Sequence, residues 1–254
     1  MFKTMELQAI YVMWLREIKR FIRSKSRIIV TVVQSLFFLF ILGSGLRTIT
    51  TGNLGVDYLY FLAPGIIAMA IMASSMFTGV SILWDKQFGF LQEVLVAPIS
   101  RISIIIGRTL GGATTALIQG FIILFLSIAI GLPISSSIGL LLTFIFMVLT
   151  AFTAVGFGLI LASKMRDFQG FPLVMNLVIM PLLFLSSAFF PVTSNSIMKN
   201  IAFFNPLFYM VDGLRGSLIG SNNVFHPLID LAVVSIICIV TMFIGSYFFS
   251  KSEV

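Results

Sequence analysis

The sequence has few charged residues, one cysteine and one histidine. Only 10% of its 254 residues are Asp, Glu, Lys or Arg, whereas roughly a quarter of an ordinary globular chain is charged. So few charges cannot cover a water-exposed surface of normal size, and we expect lipid to be the solvent for most of the chain. Cys238 is the only cysteine and His226 the only histidine. This excludes an intramolecular disulfide framework, a thiolate metal cluster and a zinc site made by this chain alone.

Apolar residues, by contrast, are abundant and occur in long stretches. Hydrophobic residues make up 59% of the chain, and its mean hydropathy is +1.11. Charged residues divide the chain into uncharged blocks, and about 20 apolar residues suffice for one helical crossing of a bilayer. The long block 109–163 must hold two crossings, with a turn at 131–137 where glycine and proline end one helix and serine caps the next.

These blocks predict a single transmembrane domain over residues 1–254, all-α, with six transmembrane helices. We place the helices at residues 28–46, 58–84, 107–130, 138–162, 171–190 and 229–250. If the N-terminus lies inside, 13 of the 16 Lys and Arg residues lie on the cytoplasmic side, and only Arg47, Lys199 and Arg215 lie outside. This positive-inside pattern predicts a multi-pass protein of a prokaryotic cell membrane with both termini cytoplasmic. It also explains the net charge of +7 without a nucleic-acid partner.

The first 27 residues predict an amphipathic helix that lies in the membrane plane. Apolar side chains recur at helical spacing from Leu7 to Phe21, and basic side chains occupy the opposite side. We expect the basic residues to contact anionic membrane lipids; they are Arg16, Lys19, Arg20 and Arg23. The alternative is a positively charged flank of the first span in which the periodicity is accidental.

We expect no Asp, Glu, Lys, Arg or His inside any of the six spans, and this disfavours an ion-coupled transporter, which usually needs an ionisable side chain at membrane depth. Their Ser, Thr, Asn and Gln residues are typical of hydrogen bonds between helices, with substrate contact as the alternative. Gly107 and Gly111 match the small-xxx-small pattern of close helix packing. No phosphate-binding loop or nucleophile elbow is present, so we expect no enzyme active site and no cofactor; any ATP must bind to another chain.

A cytoplasmic loop at 85–106 contains a candidate docking helix. Residues 89–97 can form a short amphipathic helix that Pro98 ends, with Phe90 and Leu95 on its apolar face. A helix of this length is marginal alone, so we expect it to dock on a partner protein or, alternatively, on the membrane.

An outer segment at 191–227 contains apolar stretches that are too short to cross a bilayer. Residues 197–204 and 207–219 predict two short helices that are broken at Asn205 and Pro206. Asp212 and Arg215 have the i, i+3 spacing of an ion pair. We interpret the segment as a re-entrant pair that caps a pathway, with a purely structural interfacial lid as the alternative.

Two motifs resemble those of ABC-2 type exporter permeases, the daunorubicin-resistance-like group. The first is the run from Gly89 to Pro98, and the second comprises Phe189–Pro191 together with the run from Asn205 to Arg215. The resemblance implies an ATPase-coupling loop with residues Gly89, Phe90, Leu91, Gln92, Glu93, Val94, Leu95, Pro98 and Arg101, and an outer motif with residues Pro191, Asn205, Pro206, Tyr209, Asp212 and Arg215. One departure is that Gln92 stands where the family often has Glu, with Glu93 next to it.

The resemblance further implies partners and a function. The N-terminal helix would be the family's connecting helix, and two copies of a cytoplasmic ABC ATPase subunit would bind ATP and dock on the loop. A second copy of this chain or a homologous permease would complete the pathway. The expected activity is export of a drug, lipid or glycolipid. The alternatives are an ion-gradient-driven secondary transporter and a membrane scaffold that transports nothing.

Overall fold

The fold is all-α within the part of the chain that the structure describes. The computed structural model describes residues 2–45, 57–90, 96, 99–165, 167–191 and 196–251, and these contain no β-strand. The helices are α1 Phe2–Arg23, α2 Lys25–Gly45, α3 Tyr58–Gln87, α4 Arg101–Ala129, α5 Ser137–Lys164, α6 Gly170–Phe184, α7 Ser196–Phe203, α8 Pro206–Leu218 and α9 Pro227–Lys251.

Five of these helices are long and apolar enough to cross a membrane, namely α2, α3, α4, α5 and α9. The predicted class of multi-pass membrane protein is therefore confirmed. The sixth predicted crossing, 171–190, corresponds to α6, which has 15 residues and is roughly 22 Å long. Since the hydrocarbon core of a bilayer is about 30 Å thick, the sixth crossing remains a prediction.

Helix α3 forms the centre of the bundle and packs against α2, α4, α5 and α8. Small residues allow its neighbours to approach closely. A Cβ atom on Gly79 would lie 2.6 Å from the ring of Phe171 and 3.0 Å from the backbone oxygen of Gly158. In a bilayer such close packing replaces the hydrophobic effect as the main source of helix association.

The predicted hairpin between α4 and α5 is confirmed, including the roles of its turn residues. Gly131 has a φ of +104°, which an L side chain rarely adopts. The hydroxyl of Ser136 accepts a hydrogen bond of 3.0 Å from the backbone N–H of Gly139 and so caps α5.

The predicted small-residue motif also marks a real helix contact, between α1 and α4. A Cβ atom on Gly107 would lie 2.7 Å from the backbone oxygen of Ile10, and one on Gly111 would lie 2.6 Å from the Cβ of Glu17. Met13 and Phe21 are buried, whereas Leu7 and Tyr11 are exposed. One part of the apolar stripe of α1 thus packs on the protein, and the orientation of α1 in the membrane plane stays a prediction.

Candidate functional site

The end of the bundle that is predicted to face the cytoplasm holds a cluster of charged side chains around Asp85, in the last turn of α3. Arg16 of α1 binds both carboxylate oxygens, with N···O distances of 2.7 and 2.8 Å. Arg20 of α1 approaches to 3.2 Å, and Arg108 of α4 to 2.5 Å. Three guanidinium groups from two helices therefore meet one carboxylate at the point where the chain enters the cytoplasmic loop.

Burial makes this cluster energetically important. Arg108 is 1% exposed and Asp85 is 4% exposed, and a buried charge without its partner is strongly destabilising. Glu17 of α1 adds a second buried carboxylate, which accepts a hydrogen bond of 3.0 Å from Ser81. The cluster therefore has two carboxylates and three guanidinium groups, with Arg16 and Arg20 partly open to solvent.

The other end of the loop is also attached to α1, through Glu6. The Glu6 carboxylate accepts hydrogen bonds of 3.0 Å from the backbone N–H and 2.9 Å from the hydroxyl of Ser100, and a short one from the hydroxyl of Ser103. The hydroxyls of Ser103 and Ser100 hold the pKa of Glu6 below its ordinary value, since they stabilise the ionised carboxylate. Ser100 in turn caps α4 by accepting a hydrogen bond from Ser103.

Both ends of the loop thus bind one rigid helix. Glu6 and Arg16 are ten residues apart on α1, or roughly 15 Å along its axis. We call the set Glu6, Arg16, Arg20, Asp85 and Ser100 the loop anchor. The loop anchor thus connects both ends of the loop to α1, and Arg108 connects Asp85 to α4.

Part of the predicted coupling loop lies within the described residues. Gly89 has a φ of +74° and turns the chain away from α3, and the ring of Phe90 lies 3.7 Å below the guanidinium of Arg16. Leu91, Gln92, Glu93, Val94, Leu95 and Pro98 lie outside the described residues. Because Ser100 caps α4 and the helix begins at Arg101, residues 101–106 of the predicted loop are helical, and their cytoplasmic position stays a prediction.

Exposed apolar side chains surround the loop. Phe88, Val96 and Ile102 are 71, 86 and 61% exposed. Arg101 reaches the other end of the chain, since its Nη1 donates a hydrogen bond of 2.7 Å to the backbone oxygen of Ser250 in α9. The loop region therefore offers an apolar surface on a base that is fixed to α1, α3, α4 and α9.

Among the predicted lipid-binding residues of α1, the structure separates two pairs. Lys19 and Arg23 are exposed, as contact with headgroups requires. Arg16 and Arg20 instead direct their guanidinium groups to Asp85. The sequence pattern missed this role because helical periodicity does not show which partner a charged face meets.

In the predicted outer segment, the two short helices are confirmed as α7 and α8. The Asn205 side chain caps α8 by accepting a hydrogen bond of 3.0 Å from Leu207 N–H, and Pro206 occupies the first turn. The amide of Asn205 also donates a hydrogen bond of 2.6 Å to the backbone oxygen of Leu182 in α6. The Asn-Pro pair thus fixes both the start of α8 and its position against α6.

Arg215 joins three elements of the outer end. Its side chain is fully buried. It donates hydrogen bonds to the backbone oxygen of Phe61 in α3 at 3.3 Å and to that of Ser187 after α6 at 2.7 Å. Its guanidinium also lies 3.8 Å from the centre of the Phe61 ring, an arrangement that favours a cation–π contact.

The predicted ion pair between Asp212 and Arg215 is wrong, since the two side chains bind different partners. Asp212 accepts hydrogen bonds of 2.8 and 2.9 Å from the backbone N–H groups of Val224 and Phe225. No N···O distance within 4.0 Å joins Asp212 to Arg215 in the described ranges. The reason is that buried backbone groups near each side chain need a partner, and the two charges satisfy them separately.

The remaining outer-motif residues pack around this turn. The Tyr209 hydroxyl donates a hydrogen bond of 2.9 Å to the backbone oxygen of Phe203, and its ring stacks on Phe225. Pro191 is half-buried after α6. The outer motif therefore builds a compact corner of α6, α7, α8 and the start of α9.

The expectation of spans without ionisable groups needs correction at Arg108 and Asp230. Both are buried within helices that are long enough to cross the membrane. Arg108 is tolerated because Asp85 neutralises it, whereas Asp230 lies near the carboxyl of Asp212 and has no ion pair within the described residues. The sequence signal was present, since both residues border uncharged blocks, but only the fold shows their partners.

Comparison with known proteins supports the resemblance. Residues 8–219 match the ABC-2 type transporter family. The chain is 28% identical over 235 residues to the inner membrane transport permease YadH of Escherichia coli strain K12, an alignment that covers 91% of this chain and 90% of YadH. It is 28% identical over 203 residues to nodulation protein J of Rhizobium leguminosarum bv. trifolii, an alignment that covers 79% of this chain and 75% of that protein. It is 29% identical over 163 residues to the probable multidrug ABC transporter permease YbhR of Escherichia coli strain K12, an alignment that covers 63% of this chain and 44% of YbhR.

The family match extends from within α1 to just past the end of α8 and so includes the loop, the outer motif and every member of the loop anchor except Glu6. The chain therefore belongs to the ABC-2 type transporter family and is a membrane transport permease.

Proposed function

We propose that this chain is the transmembrane subunit of an ATP-driven exporter that moves an amphipathic or lipid-like substrate out of the cell. ATP binds to a separate cytoplasmic ABC ATPase, of which the complex holds two copies. A second copy of this chain, or a homologous permease, completes the pathway, and each permease crosses the membrane six times. The name of one relative, a probable multidrug ABC transporter permease, agrees with this proposal.

The observation that carries the proposal is the attachment of both loop ends to α1. A loop that only connects two spans has no need of a buried carboxylate shared by three arginines. A loop that receives a mechanical displacement needs a rigid base, and the loop anchor is one. The exposed apolar side chains at Phe88 and Val96 supply a surface for the ATPase.

In the mechanism that follows, ATP binding draws the two ATPase subunits together and displaces the loops. The loop anchor transmits this displacement to α1, and Arg108 transmits it to α4. The spans then pass from an inward-open to an outward-open arrangement, and substrate leaves past the corner of α6, α7 and α8.

The direct test is to purify the tagged protein from its host in mild detergent and identify co-purifying proteins by mass spectrometry. A soluble ATPase should be present in stoichiometric amount and should be lost when Glu93→Lys and Leu95→Glu are combined. Phe204→Glu is the control, because Phe204 is 91% exposed near the outer segment, and it should retain the ATPase. An intact permease dimer without any ATPase contradicts the proposal and favours a gradient-driven transporter or a scaffold.

A further inference from the structure

A groove lies between α2, α3 and α6. It encloses about 270 Å³ and its wall consists largely of apolar side chains of α3 and α6, from Val80 and Phe171 at the cytoplasmic end to Met69 and Leu183 further in. This volume is below the roughly 300–1,000 Å³ of pockets that enclose a whole drug-sized ligand. The groove therefore has room for one end of an amphiphile.

Arg27 stands at the cytoplasmic mouth of this groove. Its guanidinium lies 4.8 Å from the ring centre of Phe21 and 4.9 Å from that of Phe77. Its Nε is buried without a hydrogen-bond partner, and no ion pair of Arg27 occurs within the described ranges. Unlike Arg16, Arg20 and Arg108, this arginine has not been neutralised by Asp85.

Two further polar side chains line the groove at greater depth. Gln34 of α2 and Asn176 of α6 both face it and are exposed. A side-chain amide without a hydrogen-bond partner is unfavourable in hydrocarbon. The two amides, like Arg27, thus indicate that the groove holds an occupant with polar groups as well as a chain.

The dimensions of the groove match one leaflet. From Val80 to Met69 the groove follows α3 for 11 residues, or roughly 16 Å. This is about half of the hydrocarbon thickness of about 30 Å. In the predicted orientation the groove extends from the inner headgroup level to near the middle of the bilayer.

We propose that this groove binds an anionic amphiphile from the inner leaflet, with Arg27 holding its phosphate or carboxylate headgroup and one chain lying along α3 and α6. The inference deepens the export proposal and rests on it only in treating the occupant as cargo. A planar guanidinium binds two oxygens of such a headgroup at once, which gives the site a preference for anionic over zwitterionic lipids.

The test is native mass spectrometry of the purified protein titrated with phosphatidylglycerol or with phosphatidylcholine of the same acyl chains. Arg27→Gln should weaken the tightest phosphatidylglycerol binding by roughly tenfold or more and leave phosphatidylcholine unchanged. Arg27→Lys should restore part of the preference for phosphatidylglycerol, because it keeps the positive charge but not the planar guanidinium that binds two oxygens. Lys25→Gln is the matched control: it removes the same charge two residues away from an exposed position outside the groove.

A second pair of variants tests the chain-binding part. Met180→Trp fills the groove from a lining position, whereas Leu177→Trp adds the same bulk at a side chain that is 76% exposed and lies outside it. Only Met180→Trp should reduce retention of phosphatidylglycerol. The inference is overturned if Arg27→Gln and Lys25→Gln weaken phosphatidylglycerol binding equally. It is also overturned if Met180→Trp breaks a dimer while lipid binding persists. Lipid binding without a co-purifying ATPase would instead contradict the export proposal alone.

Discussion

The carboxylate of Asp85 accepts hydrogen bonds from three guanidinium groups, and one of these, Arg108, is almost completely buried. Removal of one member of a buried ion cluster leaves the other charges without compensation, and this is more destabilising than replacing the whole pair by apolar groups. The cluster therefore stabilises a particular arrangement of α1, α3 and α4 as well as the fold itself.

Asp85→Asn is expected to lower the free energy of unfolding by about 3 kcal/mol or more, because Arg108 stays buried and loses its counter-charge. The midpoint of thermal unfolding in detergent measures this effect. Asp167→Asn, which removes an exposed carboxylate that is hydrogen-bonded to two backbone N–H groups, should lower the unfolding midpoint far less. The double variant Asp85→Leu with Arg108→Leu should recover much of the loss; if it is less stable than Asp85→Asn, electrostatic compensation is not the reason for the cluster.

In the outer motif, Asn205 fixes the arrangement of neighbouring helices through hydrogen bonds in place of charges. Asn205→Ala removes the cap of α8 and the bond to Leu182, so we expect a loss of roughly 1–2 kcal/mol. Asn205→Asp keeps the cap but loses the N–H donor to Leu182, so its stability should lie between those of the unchanged protein and Asn205→Ala. The exposed Asn200 supplies the control, since Asn200→Ala should leave the unfolding midpoint almost unchanged; an equal fall in both alanine variants contradicts this account.

At the scale of the element, α1 is joined to the bundle through close contacts as well as charges. Gly111 of α4 faces the Cβ of Glu17, with room for no side chain. The contact places Glu17 beside Ser81 and Arg16 and Arg20 beside Asp85, so its closeness determines whether the loop anchor can form.

Gly111→Ala should therefore loosen α1 without removing any charged group. A Met13→Cys reporter, buried at the α1–α4 contact, in a Cys238→Ala background, should react faster with a maleimide in the Gly111→Ala protein. Gly158→Ala is the control, because a Cβ atom there meets nothing closer than 3.6 Å. Unchanged reactivity of the reporter would show that α1 does not depend on this contact.

The ends and close contacts of helices were predictable from the sequence where a local residue pattern specifies them. The turn at Gly131, the cap at Ser136, the break at Asn205 and the contact at Gly107 each depend on a residue whose backbone or capping preference is distinctive. The partner of a charged side chain has no such local signature. For this reason the roles of Glu6 and Asp85 were missed, and Asp212 was paired with the wrong group.

For the molecule as a whole, the crossing of α6 determines whether the outer corner lies on the side of the membrane opposite to the loop. Single cysteines at Val96 and Gln169 should react with a membrane-impermeant maleimide only from the cytoplasmic side, and one at Phe204 only from outside, since α6 lies between Gln169 and Phe204. Ser26→Cys, next to the first span, can serve as a second inner marker. If Gln169 and Phe204 react from the same side, α6 does not cross and the chain has five spans.

We propose above all that the cytoplasmic loop receives the movement of a separate ATPase. The most direct measurement is site-specific cross-linking in whole cells from a cysteine at Val96, which is 86% exposed, in the Cys238→Ala background. We expect a cross-link to a soluble ATPase that weakens when Asp85→Asn frees one end of the loop from α1, and none from a cysteine at Phe204. A Val96 cysteine that is reactive in the intact dimer but never cross-links to an ATPase would contradict it.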